Sequence, residues 1–155
     1  MFGEVEDAVN AVRWLAEQPY VDPNYIYLFG HSVGGGIAAL VSLMDDVPIR
    51  HCGSCSGLYP VSIFQEWRSI APFRVQDKQE CQLRLLHGNT EWMQRHHYAF
   101  AGTLEPDFLA VCRPYKTGKI KALMLHIEEV PGDHFSALPI AVKRYFDIVE
   151  KNRKK

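Results

Sequence analysis

The chain has 155 residues, 47% of them hydrophobic and 23% charged, with a formal net charge of −1. That length and balance fit one domain over residues 1–150 with a sizeable core, followed by a basic tail at 151–155. A charge so near zero excludes a general nucleic-acid or anionic-membrane binder. No apolar run approaches the roughly 18 residues of a membrane span, and no signal-peptide pattern opens the chain, so a cytoplasmic location is expected.

In chain order, Val5, Ala8, Val9, Val12, Leu15 and Ala16 form a one-faced stripe that predicts a helix over 4–18. Pro19, Asp22 and Pro23 break it. Residues 25–29 read as a short strand buried on both faces, and 33–44 as a helix. A weaker strand follows at 49–54. Residues 57–79 read as a long excursion with a short helix around 63–67. A third strand is expected at 83–86, a helix at 91–100, and an irregular or weakly helical stretch at 106–119. A fourth strand at 121–128 and a last helix, with Leu138, Val142, Tyr145 and Val149 on one face, complete the series. This alternation predicts an α/β fold: a mostly parallel sheet of about four strands flanked by helices.

In such sheets ligands bind beyond the carboxyl ends of the strands. The first of these ends holds Gly30-His31-Ser32-Val33-Gly34, a G-x-S-x-G pattern between strand and helix. Each Gly in a helix costs about 1 kcal/mol relative to Ala, so a glycine-rich start needs another reason. A nucleophile elbow supplies one: a tight turn presents Ser32 at its apex, and Gly30 and Gly34 avoid collision with the neighbouring backbone. Gly35 and Gly36 allow close helix approach. The backbone N–H of Val33 is the natural oxyanion donor, beside a helix N-terminus that favours negative charge.

A nucleophilic serine needs a base and an orienting acid. His134, in "VPGDHF" just before the last helix, fits the base better than His31 inside the elbow, His126 within a strand, or His51 early in the chain. For the acid, Glu91 lies three residues past Gly88 at the expected end of the third strand, with Glu128 and Glu129 as alternatives. Asp133, adjacent to His134, has poor geometry for Nδ1. Cys52 and Cys55 form one CxxC without a second ligand pair, and His96-His97 lacks the acidic partner of an HExxH site. Reduced thiols, no metal and no cofactor are expected. Trp67, Phe73, Trp92 and Phe135 are available to line an acyl pocket, although core packing is the ordinary role of such aromatics.

The segment "EDAVNAVRWLAEQPYVDPNYIYLFGHSVGG" resembles the prolyl-oligopeptidase-like branch of the α/β-hydrolase superfamily, as do "LLHGNTE" and "VPGDHF". The resemblance implies Ser32 as nucleophile, Glu91 as acid and His134 as base, with Glu91 where that family usually carries Asp. It also implies several strands ahead of the elbow strand and a loop among them supplying a second oxyanion donor. Here 24 residues precede Tyr25, with no HGG-type stretch, so the pattern matches the C-terminal half of the fold. The expected function is a serine hydrolase cleaving a small ester or a peptide through an acyl-enzyme. The alternatives are a weak or inactive partial domain acting by association, or a hydrolase completed by another chain. An elbow strand left at a sheet edge predicts a homo-oligomer or a partner chain covering it.

Overall fold

The computed structural model describes residues 2–42, 44, 46–57, 95–119 and 124–153. Four parallel strands lie in sequence order: β1 (Tyr27–His31), β2 (His51–Cys55), β3 (His97–Gly102) and β4 (Leu125–Val130). Helices α1 (Phe2–Ala16) and α2 (Val33–Val41) flank β1, α3 (Pro106–Lys116) joins β3 to β4, and α4 (Leu138–Arg153) closes the series.

The apolar stripe of α1 is buried as its spacing requires. Val5, Val9 and Val12 pack with Leu40 and Val41 of α2 and with Ile26, Ile49 and Cys52. The chain leaves α1 through a short 3-10 turn, Pro23–Tyr25. Asp22 caps it by accepting from Asn24 N–H at 2.9 Å. That turn delays β1 to Tyr27, two residues later than expected, and carries it on through His31. On one face of the sheet Ala39 of α2 and Cys112 of α3 pack against Ala99 and Ala101. On the other face Ala141 and Tyr145 of α4 meet Cys55 and Phe100. Cys52 and Cys55 therefore belong to different cores, and both are buried free thiols.

Several expectations are corrected. Residues 97–100, expected to end a helix, form β3, because Tyr98 and Phe100 face α4 while Ala99 and Ala101 face α2 and α3. The stretch after Glu105 is a full helix, α3: Pro106 starts it, Asp107 lies in its first turn, and Arg113 and Lys116 lie in its last, where charges suit the helix dipole. The last helix runs to Arg153 and takes in most of the expected tail. The strand at 83–86, the helix at 63–67 and Glu91 lie outside the described residues. Among the described residues no helix is long and apolar enough to cross a membrane. β1 is an outer strand of the described sheet. Beside it an apolar groove of about 400 Å³ is lined by Tyr25, Tyr27, Phe29, Val142, Phe146 and neighbours.

Two buried histidines weaken this framework in acid. His97, 1% exposed, has its Nε2 2.7 Å from Ser54 Oγ, and burial pushes its pKa from 6.5 to about 3. His51, held 3.0 Å from the Tyr145 hydroxyl, is pushed to about 4, first by burial and then by the charges of His96 and Arg50. Both folded values lie below the unfolded one. As pH falls through 6.5 the unfolded chain therefore takes up protons first, and stability drops until the folded values are reached. At pH 5, 1.5 units below the unfolded value, the two sites together remove on the order of 4 kcal/mol. Urea midpoints should be level near pH 7.5 and fall steeply from pH 6.5 to 4; above about pH 8.5 they should fall again, because burial pushes the Cys52 and Cys112 thiols up to about 12. A midpoint unchanged at pH 5 would contradict the burial of these rings.

Candidate active site

The elbow forms at the end of β1. Ser32 has φ 53° and ψ −120°, a conformation that non-glycine residues seldom adopt. It is held by its own N–H donating to Cys55 O at 3.0 Å and by its carbonyl accepting from Gly36 N–H at 3.1 Å. The side chain makes no capping hydrogen bond to α2, which leaves the hydroxyl for other work. The glycines have distinct reasons. A Cβ on Gly30 would lie 2.0 Å from the Gly34 carbonyl oxygen, so Gly30 is required. A Cβ on Gly34 would meet nothing within 4 Å, which corrects the expectation that Gly34 relieves a collision. Gly35 is required further in, where a Cβ would lie 2.7 Å from Gly57 Cα.

His134 sits in the β4–α4 loop. Its Nδ1 is 2.8 Å from Oε1 of Glu105, the residue that precedes α3. The Glu105 side chain is 13% exposed and that of His134 37%. The loops after β3 and β4 are tied together at this point. Leu104 N–H donates to Gly132 O at 2.9 Å, and Thr103 N–H to Val130 O at 2.9 Å. Gly132 adopts φ 123°, and any Cβ there would lie 2.7 Å from Ala137 N. His31 adds a clamp from the elbow side: its Nε2–H donates to the His134 carbonyl at 2.6 Å, and the two rings are 4.6 Å apart. Phe135 packs edge-on against His134 at 5.1 Å.

Three other acids weighed for His134 lie among the described residues and are engaged elsewhere. Asp133 accepts from Ser136 Oγ at 2.6 Å and from the N–H groups of Ser136 and Phe135. Those bonds, Ser136 first, hold its pKa down to about 2. Glu129 pairs with Lys116 at 2.6 Å and Glu128 with Arg144 at 3.4 Å. Glu105 was not among the sequence candidates, although its signal was present. "YAFAGTLEP" is an apolar run ending in Gly with Glu three residues on, the same pattern that pointed to Glu91.

A family model of the α/β hydrolase fold matches residues 3–125, well over half of the chain. The chain belongs to the α/β hydrolase fold family. This hydrolase-fold chain is 39% identical over 51 residues to Inactive dipeptidyl peptidase 10 of Mus musculus, a match covering 33% of this chain and 6% of that protein. It is also similar to the solved apoenzyme of S-formylglutathione hydrolase from Staphylococcus aureus. The TM-score is 0.56 and the identity 17%, with 96% of this chain and 58% of that one covered. The chain thus spans only part of both relatives, and the second likeness supports the shared fold.

Proposed function

We infer that this α/β hydrolase cleaves an ester or amide bond through an acyl-enzyme, with Ser32 as nucleophile, His134 as general base and Glu105 as the orienting acid. The observation that carries the reading is the 2.8 Å contact between His134 Nδ1 and Glu105 Oε1 on the end of the sheet that also holds the strained Ser32. A carboxylate on Nδ1 keeps the proton there and leaves Nε2 as the basic nitrogen. Ser32 Oγ gives its proton to Nε2 as it bonds to the carbonyl carbon, and the oxyanion faces the Val33 N–H. The imidazolium, stabilised by Glu105, then protonates the leaving oxygen or nitrogen as the acyl bond breaks. Water repeats the sequence to free the acid and restore Ser32.

Three exposed apolar side chains each adjoin one of these residues: Val33 (52% exposed), Leu104 (70%) and Phe135 (75%). They support a substrate with an apolar acyl or leaving group. Mixing enzyme with excess p-nitrophenyl butyrate should give a burst of about one nitrophenolate per active chain, then slower turnover. A mass increase of one butyryl group should accompany it. A second reading, binding without turnover, draws on the curated relative whose name calls it inactive. No burst and no acyl adduct would favour that reading.

A further inference from the structure

Among the described residues, only two non-glycine residues have positive φ: Ser32 and Ser56. They occupy matching places, one residue beyond the paired His31 and Cys55 at the ends of β1 and β2. Strain of this kind costs of order 1–3 kcal/mol and persists where the surroundings impose it. At Ser56 they do: its N–H donates to Phe100 O at 2.9 Å, and the next residue, Gly57, is pressed on Gly35 so closely that a Cβ would lie 2.4 Å from Gly35 Cα.

This conformation aims the Ser56 hydroxyl at Glu105. Ser56, 7% exposed, donates from Oγ to Glu105 Oε2, and Gly102 N–H donates to the same oxygen at 3.2 Å. The carboxylate is thereby divided. Oε1 serves His134 Nδ1, while Oε2 is held by two donors from the ends of β2 and β3. With Oε2 anchored by two donors, Oε1 is directed at His134 Nδ1, and losing the Ser56 donor leaves Oε2 on the longer Gly102 contact alone. We propose that Ser56 is a positioning residue for Glu105, setting the carboxylate against the base. This rests on the reading of Glu105 as the orienting acid.

The test compares wild type with Ser56→Gly, Ser56→Ala, Ser56→Asn and Glu105→Gln. Gly accepts φ 54° without strain, so Ser56→Gly removes the hydroxyl while easing the backbone and keeps a folded protein available if Ser56→Ala fails to fold. Asn also tolerates positive φ and restores a donor. The first readout is the downfield proton resonance of His134 Nδ1–H, assigned by its loss in His134→Gln, which needs no turnover. The second is the split between kcat and KM. Ser56→Gly and Ser56→Ala should shift or broaden the resonance and lower kcat about 10- to 100-fold with KM within about twofold, as displaced catalytic groups do. Melting temperature should hold or rise in Ser56→Gly, and Ser56→Asn should recover much of kcat. An unchanged resonance and kcat in folded Ser56→Gly, with the resonance lost in Glu105→Gln, overturns the role of Ser56 alone. A resonance that survives Glu105→Gln overturns the reading of the acid, and the role of Ser56 with it.

Discussion

Ser32→Ala should lower ester hydrolysis on the order of 10⁶-fold, leaving only what binding and oxyanion stabilisation provide. The fold should be untouched. The Ser32 side chain makes no capping bond to α2, and the bonds that hold the elbow come from its backbone: N–H to Cys55 O, and its carbonyl to Gly36 N–H. Ala keeps a Cβ and so asks nothing new of the φ 53° conformation. Turnover under substrate saturation together with a thermal melt checks both halves. Full activity in a folded Ser32→Ala protein would place the nucleophile elsewhere.

Glu105→Gln should lower kcat by about 10⁴-fold, the scale seen when an orienting carboxylate becomes an amide. The geometry explains why the amide is no substitute. Oε1 and Oε2 both accept, from His134 on one side and from Ser56 and Gly102 on the other. An amide has one acceptor and one donor end. If its oxygen takes the Ser56 and Gly102 donors, its NH₂ faces His134 Nδ1 and drives the imidazole proton to Nε2, where it blocks the base. Glu91→Gln should leave kcat within about threefold, since Glu105 already occupies Nδ1. A large loss in Glu91→Gln with none in Glu105→Gln would return the acid to Glu91.

What could be read without the structure was what the chain writes contiguously. The stripe of α1, the strand-to-helix turn at Ser32 and the Pro-Gly-Asp-His loop each carry their reason within a few residues. The carboxylate beside His134 is different in kind. Both "LLHGNTE" and "FAGTLEP" offer a Gly followed three residues later by Glu, and only pairing beside β4 decides which reaches His134. β3 was hidden for a related reason. His97–Gly102 is covered on both faces, by α4 through Tyr98 and Phe100 and by α2 and α3 through Ala99 and Ala101, so it shows no alternation of polar and apolar residues. The spacing of Gly30 and Gly34 is symmetric about Ser32, but a collision depends on where the backbone passes. It passes Gly30, at 2.0 Å, and leaves open space at Gly34.

In the proposed mechanism Ser32 is a nucleophile made reactive by His134 and Glu105. Incubation with a fluorophosphonate, followed by peptide mass spectrometry, tests it without any knowledge of the substrate. The reagent should lose fluoride as Ser32 Oγ bonds to its phosphorus, leaving one phosphonyl group on Ser32 of the wild-type chain, with the labelling rate falling at least a hundredfold in His134→Gln and in Glu105→Gln. No adduct on Ser32, or a labelling rate unchanged by both substitutions, would contradict the account.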